Sequence, residues 1–168
     1  EPLADDLREL GEELGIDIAQ PVARLEKAAA DRWPEDSWLV EYSRLFLVPP
    51  IPVPLNTGVY LDGGLRGVSA QMILHCYGTG GFAPSDSFRD LPDHVSIQLE
   101  FVGSLLERAE AGDADAADMA REFVDSFVAR WVGPLRDALE KSVGRSRAAP
   151  VYLAVVEVLQ QAVDPALF

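Results

Sequence analysis

The stretch that decides the fold reads PDHVSIQLEFV and spans residues 92–102. It places a proline, an acid and a histidine directly before an apolar run with helical spacing. Pro92 prevents a helix from extending backwards, and Asp93 is expected to cap the first turn by accepting from free backbone N–H groups. His94 would then lie in the first turn, beside the positive end of the helix dipole, which favours the neutral imidazole. On this stretch alone, the pattern favours ordinary capping beside a solvated histidine over a binding site.

The composition restricts the possible classes of function. A chain of 168 residues, 48% of them hydrophobic, suits one domain with a continuous core. With 28 acidic against 14 basic residues, the formal charge is −14. This balance argues against binding to nucleic acid backbones or to anionic membrane surfaces, and it favours basic partners. The same charge could also serve only to keep the protein soluble.

The few residues suited to metal or redox chemistry are scattered. Cys76 is the only cysteine, and His75 and His94 lie too far apart in sequence for metal-ligand spacing, so we predict no metal and no cofactor. No apolar run is long enough to span a membrane, and the first residues lack the features of a signal peptide. We therefore expect a cytoplasmic protein, with a start that has been trimmed because no initiator methionine is present.

Apolar residues recur at intervals of three to four along most of the chain, without strand-length alternation between turn signals. We predict an all-α, multi-helix bundle that forms a single domain over residues 1–168. A helix is expected over the leucines of residues 3–14, with Gly15 ending it. Another is expected over the aromatic run 119–131, which fits a core better than a cofactor site. Gly133-Pro134 would then begin a further short helix.

Proline-rich segments interrupt this helical pattern. Four of the six residues 49–54 are prolines, which excludes a helix and favours an extended, stiff path. This segment could form one wall of a binding groove or could simply connect two helices over the core. Trp33-Pro34 is expected to break the pattern as well. The glycines at residues 78–81 are not followed by Lys-Ser/Thr, so they do not form a phosphate-binding P-loop.

The charged residues give little support to catalysis, so we predict no enzyme activity. No Gly-x-Ser-x-Gly elbow occurs, and Asp93 and His94 would point about 100° apart on a helix, which is poor geometry for an orienter and a base. Asp93 and Glu100 would lie on about the same side, two turns apart. These two carboxylates could hold a guanidinium group, or they could be separate solvent-facing charges.

Three aromatic residues also allow two interpretations. Tyr42 and Phe46 are four residues apart, the spacing at which aromatic side chains on a helix pack together in a core. Tyr60 follows the proline-rich segment, and its hydroxyl could line a cavity or satisfy a backbone group.

Three elements, taken in order, resemble the motifs of a known family. They are EYSRLF at residues 41–46, GVYLD at residues 58–62 and PDHVSIQLEFV at residues 92–102. Together they resemble the TorD/DmsD/NarJ family of cytoplasmic chaperones for molybdenum-containing oxidoreductases, with a match that spans residues 41–106. Two positions depart from the family pattern. Val48-Pro49-Pro50 replaces a glycine-proline step, and Gln98 stands where an acid is frequent.

The resemblance implies a TorD-like helical fold and a function in enzyme maturation. Such a chaperone binds the twin-arginine signal peptide, or another segment, of the immature catalytic subunit of a molybdopterin oxidoreductase and assists cofactor insertion before export. It would bind no nucleic acid, would not insert stably into a membrane, and would be a monomer or a domain-exchanged dimer. Asp93 and His94 are predicted to bind polar groups of the peptide, and Glu100 is predicted to bind an arginine. The apolar side of the site is predicted to be lined by four residues: Tyr42, Phe46, Pro50 and Tyr60.

A second hypothesis from another class is a protein that handles a nucleotide or the molybdopterin cofactor in the same maturation step. His94 and the glycines at residues 78–81 would then contact the ligand, although the low basicity of the chain disfavours tight phosphate binding. A small hydrolase is disfavoured because no activated nucleophile is visible.

Overall fold

The computed structural model describes residues 2–30 and 35–163. Within these ranges the regular structure is helical and no strand is present, so the prediction of an all-α fold is confirmed. The expected break at Trp33-Pro34 lies outside the described residues. The helices, in chain order, are α1 Pro2–Leu14, α2 Ala19–Ala30, α3 Glu35–Phe46, α4 Gly58–Leu61, α5 Val68–Thr79, α6 Val95–Glu110, α7 Ala114–Phe123, α8 Ala129–Ser142 and α9 Ala149–Ala162. A π-helical segment, Val124–Val128, joins α7 to α8.

The chain divides into two compact units. The first unit comprises Glu1–Pro54 and Val132–Leu167, and the second comprises Leu55–Trp131. The single domain over residues 1–168 stays a prediction.

The core of the first unit forms where α1, α2 and α9 pack together. Its buried residues come from all three helices and from the turn before α2: Ala4, Ile18, Val22, Leu25, Ala154 and Val158. Helix α1 ends at Leu14, and Gly15 follows with a φ of 66°, as the sequence predicted. The buried side of α1 carries Ala4 and Gly11, whereas Leu3, Leu10 and Leu14 are exposed. Small residues are needed on the buried side because the helix packs closely there: a Cβ on Gly11 would lie 2.7 Å from the Ile18 side chain.

Most of the proline-rich segment lies at the surface of the first unit. Residues 49–52 are exposed, and the peptide bond between Pro49 and Pro50 is cis. Val53 is the exception, because its side chain is fully buried and its N–H donates a 3.2 Å hydrogen bond to the carbonyl of Leu45. The segment therefore contributes one side chain to the core of the first unit and leaves most of its prolines at the surface.

The core of the second unit is a cluster of aromatic rings from α5, α6, α7 and the loop after α5. The Phe101 ring lies 5.0 Å from Tyr77, 5.4 Å from Phe82 and 4.9 Å from Phe123, measured between ring centroids. Phe123 in turn lies 5.0 Å from Phe127. These are ordinary distances for favourable aromatic pairs. The aromatic run at residues 119–131 is therefore largely core, as predicted, and Trp131 is fully buried.

One helix boundary differs from the sequence prediction. Gly133-Pro134 does not begin a helix, because α8 runs from Ala129 to Ser142 with Pro134 inside it. Proline lacks an N–H, so α8 loses one backbone hydrogen bond at this point. The burial of Trp131, Leu135 and Leu139 along the same helix offsets that loss.

Candidate functional site

The carboxylate of Asp93 is fully buried and is bound by the first residue of α4 and by the residues just before it. Its Oδ2 accepts a 2.8 Å hydrogen bond from the N–H of Gly58, and its Oδ1 lies 3.4 Å from Nδ2 of Asn56. Its backbone carbonyl accepts from both the N–H and the hydroxyl of Thr57. Asp93 therefore does not cap α6, and the sequence prediction of its capping role was wrong. Its partners lie about 35 residues away, where local patterns could not show them.

Gln98 extends this buried network towards Trp131. Its Nε2 donates to the Thr57 hydroxyl at 2.8 Å and to the Asp93 carbonyl at 2.9 Å, while its Oε1 accepts from the Trp131 indole N–H at 2.9 Å. Both Gln98 and Trp131 are fully buried. An acid at position 98 could not donate to two acceptors, so the amide that departs from the family pattern suits this network.

His94 is the N-cap of α6, so the helix begins one residue later than the sequence prediction, which placed the cap at Asp93. Its Nδ1 accepts a 3.2 Å hydrogen bond from the N–H of Ser96 and lies 2.7 Å from the Ser96 hydroxyl. An accepting Nδ1 places the proton of the neutral ring on Nε2. Burial lowers the pKa of His94, and the nearby carboxylates of Asp90 and Asp93 only partly oppose this effect. The ring is thus neutral at physiological pH, as expected, and it is half-buried.

The remaining predicted residues of the second unit lie in different environments. Glu100 is exposed, whereas Asp93 is buried, so the two carboxylates are not presented to solvent as a pair. Tyr60 in α4 is half-buried, and its burial raises the pKa of its hydroxyl above the usual value.

The predicted aromatic residues of the first unit form a small cluster with α9. The Tyr42 ring lies 5.0 Å from Phe46, and the Phe46 ring lies 4.8 Å from Tyr152 in an edge-to-face arrangement. Phe46 is buried and Tyr42 is half-buried, which agrees with the core interpretation. Pro50 is exposed. The structure therefore groups Tyr42 with Phe46 in the first unit and Asp93 with His94 in the second.

Glu41, the first residue of the EYSRLF motif, holds the loop between α8 and α9. Its Oε2 accepts from the Ser146 hydroxyl at 2.8 Å and from the N–H of Arg147 at 2.9 Å, and Arg44 lies 3.2 Å from its Oε1. Burial alone would raise the pKa of Glu41, but these hydrogen bonds lower it below the usual value. Like Asp93, this motif acid binds a distant backbone segment.

An apolar groove opens in the second unit between α5 on one side and α7 with the π-helical segment on the other. Its volume is about 480 Å³, and most of its lining is apolar or sulfur-containing: Val68, Met72, Cys76, Met119, Phe123 and Phe127. Val68 and Met72 are 67% and 53% exposed, which is high for apolar side chains. Burial and the nearby Glu122 raise the pKa of the Cys76 thiol, which disfavours the reactive thiolate form. Methionine side chains adapt readily to different apolar surfaces.

One acidic side chain, Glu122, lines the groove, and three further acids lie near it along the same helical stretch. Asp115, Asp118, Glu122 and Asp125 recur at spacings of three and four residues along α7 and the π-helical segment, and all four are exposed. Arg121 is the only basic residue among residues 114–128, and it pairs with Asp118 at 3.1 Å. The groove thus combines a mainly apolar lining with the carboxylate of Glu122, and Asp125 is exposed three residues further along the chain. This combination suits a segment that is apolar in the middle and basic at one end.

Sequence reasoning missed this groove because it assigned the aromatic run at residues 119–131 to the core alone. The signal was present in the spacing of the four acids, three of which share α7 with Met119 and Phe123. What could not be foreseen is that α5 leaves Met72 and Val68 uncovered opposite them.

Two further features are relevant to function. In the part of the chain that the structure describes, no helix combines the length and the apolar character needed to cross a bilayer. Nor do three or more His, Cys, Asp or Glu side chains of residues 2–30 and 35–163 form a group that could hold a metal ion.

Comparison with known proteins gives one match. A family model described as the nitrate reductase delta subunit matches residues 8–137, while no curated protein and no solved structure matches the chain. The matched residues contain all three motifs on which the resemblance was based, so that resemblance is confirmed. The chain belongs to the nitrate reductase delta subunit family, whose members are chaperones for the maturation of molybdoenzymes.

Proposed function

We propose that this protein is a cytoplasmic chaperone that binds the twin-arginine signal peptide, or another segment, of the immature catalytic subunit of a molybdopterin oxidoreductase. It would hold that subunit while the cofactor is inserted and release it for assembly and export. The observation that carries the proposal is the groove beside α7, because its mainly apolar lining includes the carboxylate of Glu122, which belongs to a row of exposed acids.

Each part of such a segment has a counterpart in the groove. An apolar stretch can pack against Met72, Met119 and the edges of the buried rings, which removes apolar surface of both partners from water. Arginine side chains at its basic end can pair with Glu122 and Asp125. The formal charge of −14 attracts a basic segment from a distance and speeds its association.

The peptide-binding roles of the seven residues predicted from sequence stay predictions. Glu100 and Pro50 are exposed, and His94, Tyr42 and Tyr60 are half-buried, so these side chains retain surface for contact. A direct contact with Asp93 would require the buried network around Gly58 to open. We therefore propose that Asp93 stabilises the fold around Gly58 and that the residues lining the groove contact the peptide directly.

A binding experiment distinguishes the groove from the site that was predicted from sequence. The probe is a fluorescent synthetic peptide with two adjacent arginines followed by an apolar stretch, and anisotropy reports its Kd. Met72→Glu places a charge inside the groove and should raise the Kd by about tenfold or more, since burying an unpaired charge is costly. Leu74→Glu is the matched control, because Leu74 lies on the same helix, is 54% exposed and does not line the groove.

The charge contribution is tested in the same assay. Glu122→Gln should weaken binding, and added salt should narrow its difference from the wild-type protein, since exposed charges are screened. Glu100→Gln removes the same charge at the location predicted from sequence. If Glu100→Gln weakens binding while Met72→Glu and Glu122→Gln do not, the peptide binds elsewhere. If neither the wild-type protein nor any variant binds the peptide, the proposed function is wrong.

A further inference from the structure

A second cavity, of about 690 Å³, lies in the first unit beside the loop at residues 143–148. Four cationic side chains line it: Arg24 and Lys27 from α2, and Arg145 and Arg147 from the loop. Thus four of the 14 basic residues of the chain border one cavity, in a protein whose formal charge is −14. Grouped like charges repel one another and attract ions of opposite sign, so such a concentration favours the binding of an anion.

Two carboxylates share the lining, and their effect is limited. Glu41 is already occupied by the Ser146 hydroxyl, the N–H of Arg147 and the Arg44 guanidinium. Glu140 is exposed. Arg24 is partly neutralised by Glu157 at 2.7 Å.

Lys27 and Arg145 are the cations available to a ligand. Both are exposed, and neither forms an ion pair with any residue in the ranges 2–30 and 35–163. The loop that carries Arg145 is well ordered by its own hydrogen bonds, because the N–H groups of Arg145 and Ser146 both donate to the Ser142 carbonyl at 3.0 Å. Because the backbone is fixed in this way, only the rotamers of the Arg145 side chain have to be ordered on binding.

The size and the other walls of the cavity indicate the chemical class of the ligand. Its volume lies in the range of about 300–1,000 Å³ that is usual for small organic ligands, and it is much larger than a simple inorganic anion requires. Pro150 and Leu153 supply an apolar wall. Guanidinium groups bind phosphate oxygens through two parallel hydrogen bonds, and a lysine ammonium adds a point charge.

We propose that this cavity binds an organic phosphate, with its phosphate or pyrophosphate group on Arg145 and Lys27 and its apolar or ring portion against Pro150 and Leu153. This site is separate from the function proposed above, which concerns a basic peptide in an acidic groove of the other unit. The loop already holds one anion of the protein itself, the Glu41 carboxylate, through the Ser146 hydroxyl and the N–H of Arg147. The low overall basicity of the chain therefore does not exclude phosphate binding, since folding gathers the cations locally.

The test is isothermal titration calorimetry at low salt with two probes, ADP and inorganic pyrophosphate. The double variant Lys27→Gln/Arg145→Gln should weaken the binding of both probes by about tenfold or more, since it removes the two charge-assisted contacts. The control Arg121→Gln/Arg130→Gln removes the same net charge from exposed positions in the other unit and should change the Kd by less than about twofold. ADP should bind more tightly than pyrophosphate, because only ADP can contact the apolar wall.

Several outcomes overturn the proposal. They are the absence of binding to the wild-type protein at millimolar probe concentration, equal weakening in the double variant and the control, and unchanged binding in the double variant. Binding of a glutamate-rich peptide that pyrophosphate does not displace would also overturn it, because the surface would then serve an acidic protein partner. Urea denaturation establishes that the variants are folded. If the double variant is not, Arg145→Gln alone replaces it under the same criteria, since its side chain is exposed in a loop.

Discussion

The buried carboxylate of Asp93 accepts a 2.8 Å hydrogen bond from the backbone N–H of Gly58, and it lies where a side chain on Gly58 would be. A Cβ at position 58 would stand 2.9 Å from Oδ2 of Asp93 and 2.9 Å from the carbonyl oxygen of Gly64. The PDH and GVYLD motifs are therefore two halves of one structural contact. This contact gives both motifs a shared structural role.

Gly58→Ala should destabilise the protein by about 1–3 kcal/mol, because the added methyl group forces the carboxylate and the Gly64 backbone apart. Urea denaturation measures this change. Gly103→Ala is the control, since nothing lies within 4 Å of a Cβ added at this position. Gly103 is inside α6, where alanine is favoured over glycine by about 0.5–1 kcal/mol. A Gly58→Ala protein as stable as the wild type would show that the close approach is absent.

Gln98→Glu should cost about 3 kcal/mol at pH 7, since it puts a carboxylate beside two acceptors, the Thr57 hydroxyl and the Asp93 carbonyl. Burial would raise the pKa of this new carboxyl in the folded state, so its unfavourable effect should grow as the pH rises and should diminish towards pH 4. Denaturation at several pH values measures the trend. Gln20→Glu, at an exposed position, should show neither effect.

His94→Ala should destabilise the protein by about 1 kcal/mol because α6 loses its N-cap, whereas His94→Asn should retain most of the stability because asparagine caps well. The folded-state pKa of His94 lies below the ordinary value of 6.5. Its neutral ring therefore stabilises the fold fully above pH 6.5, and this stabilisation is lost as the pH falls through the folded-state pKa.

The wild-type protein should consequently lose stability relative to His94→Asn between pH 7.5 and about pH 5. Urea midpoints at the two pH values measure this difference. His75→Asn is the matched control, because His75 is exposed, and it should follow the wild type at both values. Equal pH dependence in the wild type and in His94→Asn would contradict the assignment of a neutral, accepting ring.

Glu41→Gln should cost about 1–2 kcal/mol at pH 7, because the Ser146 hydroxyl and the N–H of Arg147 lose a charged acceptor. The folded-state pKa of Glu41 is lower than its ordinary value of 4.5. The stabilisation is therefore complete above pH 4.5 and is lost as the pH falls through the folded-state pKa, so the wild type and the variant should converge in strong acid. Thermal denaturation from pH 7 to pH 3 measures this, with the exposed Glu13→Gln as control.

The helices were largely predictable because their signals are local. The spacing of apolar residues indicated α1 and its end at Gly15, and the aromatic run indicated the core of the second unit. The errors also have local causes. Asp93 and His94 are both acceptable capping residues, and the choice between them depended on Gly58, which binds the carboxylate and leaves the cap to the imidazole. Pro134 remains in a helix because the buried side chains around it favour continuation.

By itself, the sequence determined the all-α class, the family and the residues that matter for them, because helical spacing and short motifs are properties of neighbouring residues. Only the tertiary structure decided what those residues do. Glu41 binds a loop about 105 residues away and Asp93 binds Gly58, so both motif acids serve inside the fold. The tertiary structure also decided which surfaces remain open, namely the apolar groove beside α7 and the cationic cavity at residues 143–148. The physical reason is that burial and charge neighbourhood depend on contacts between distant parts of the chain, which no local pattern records.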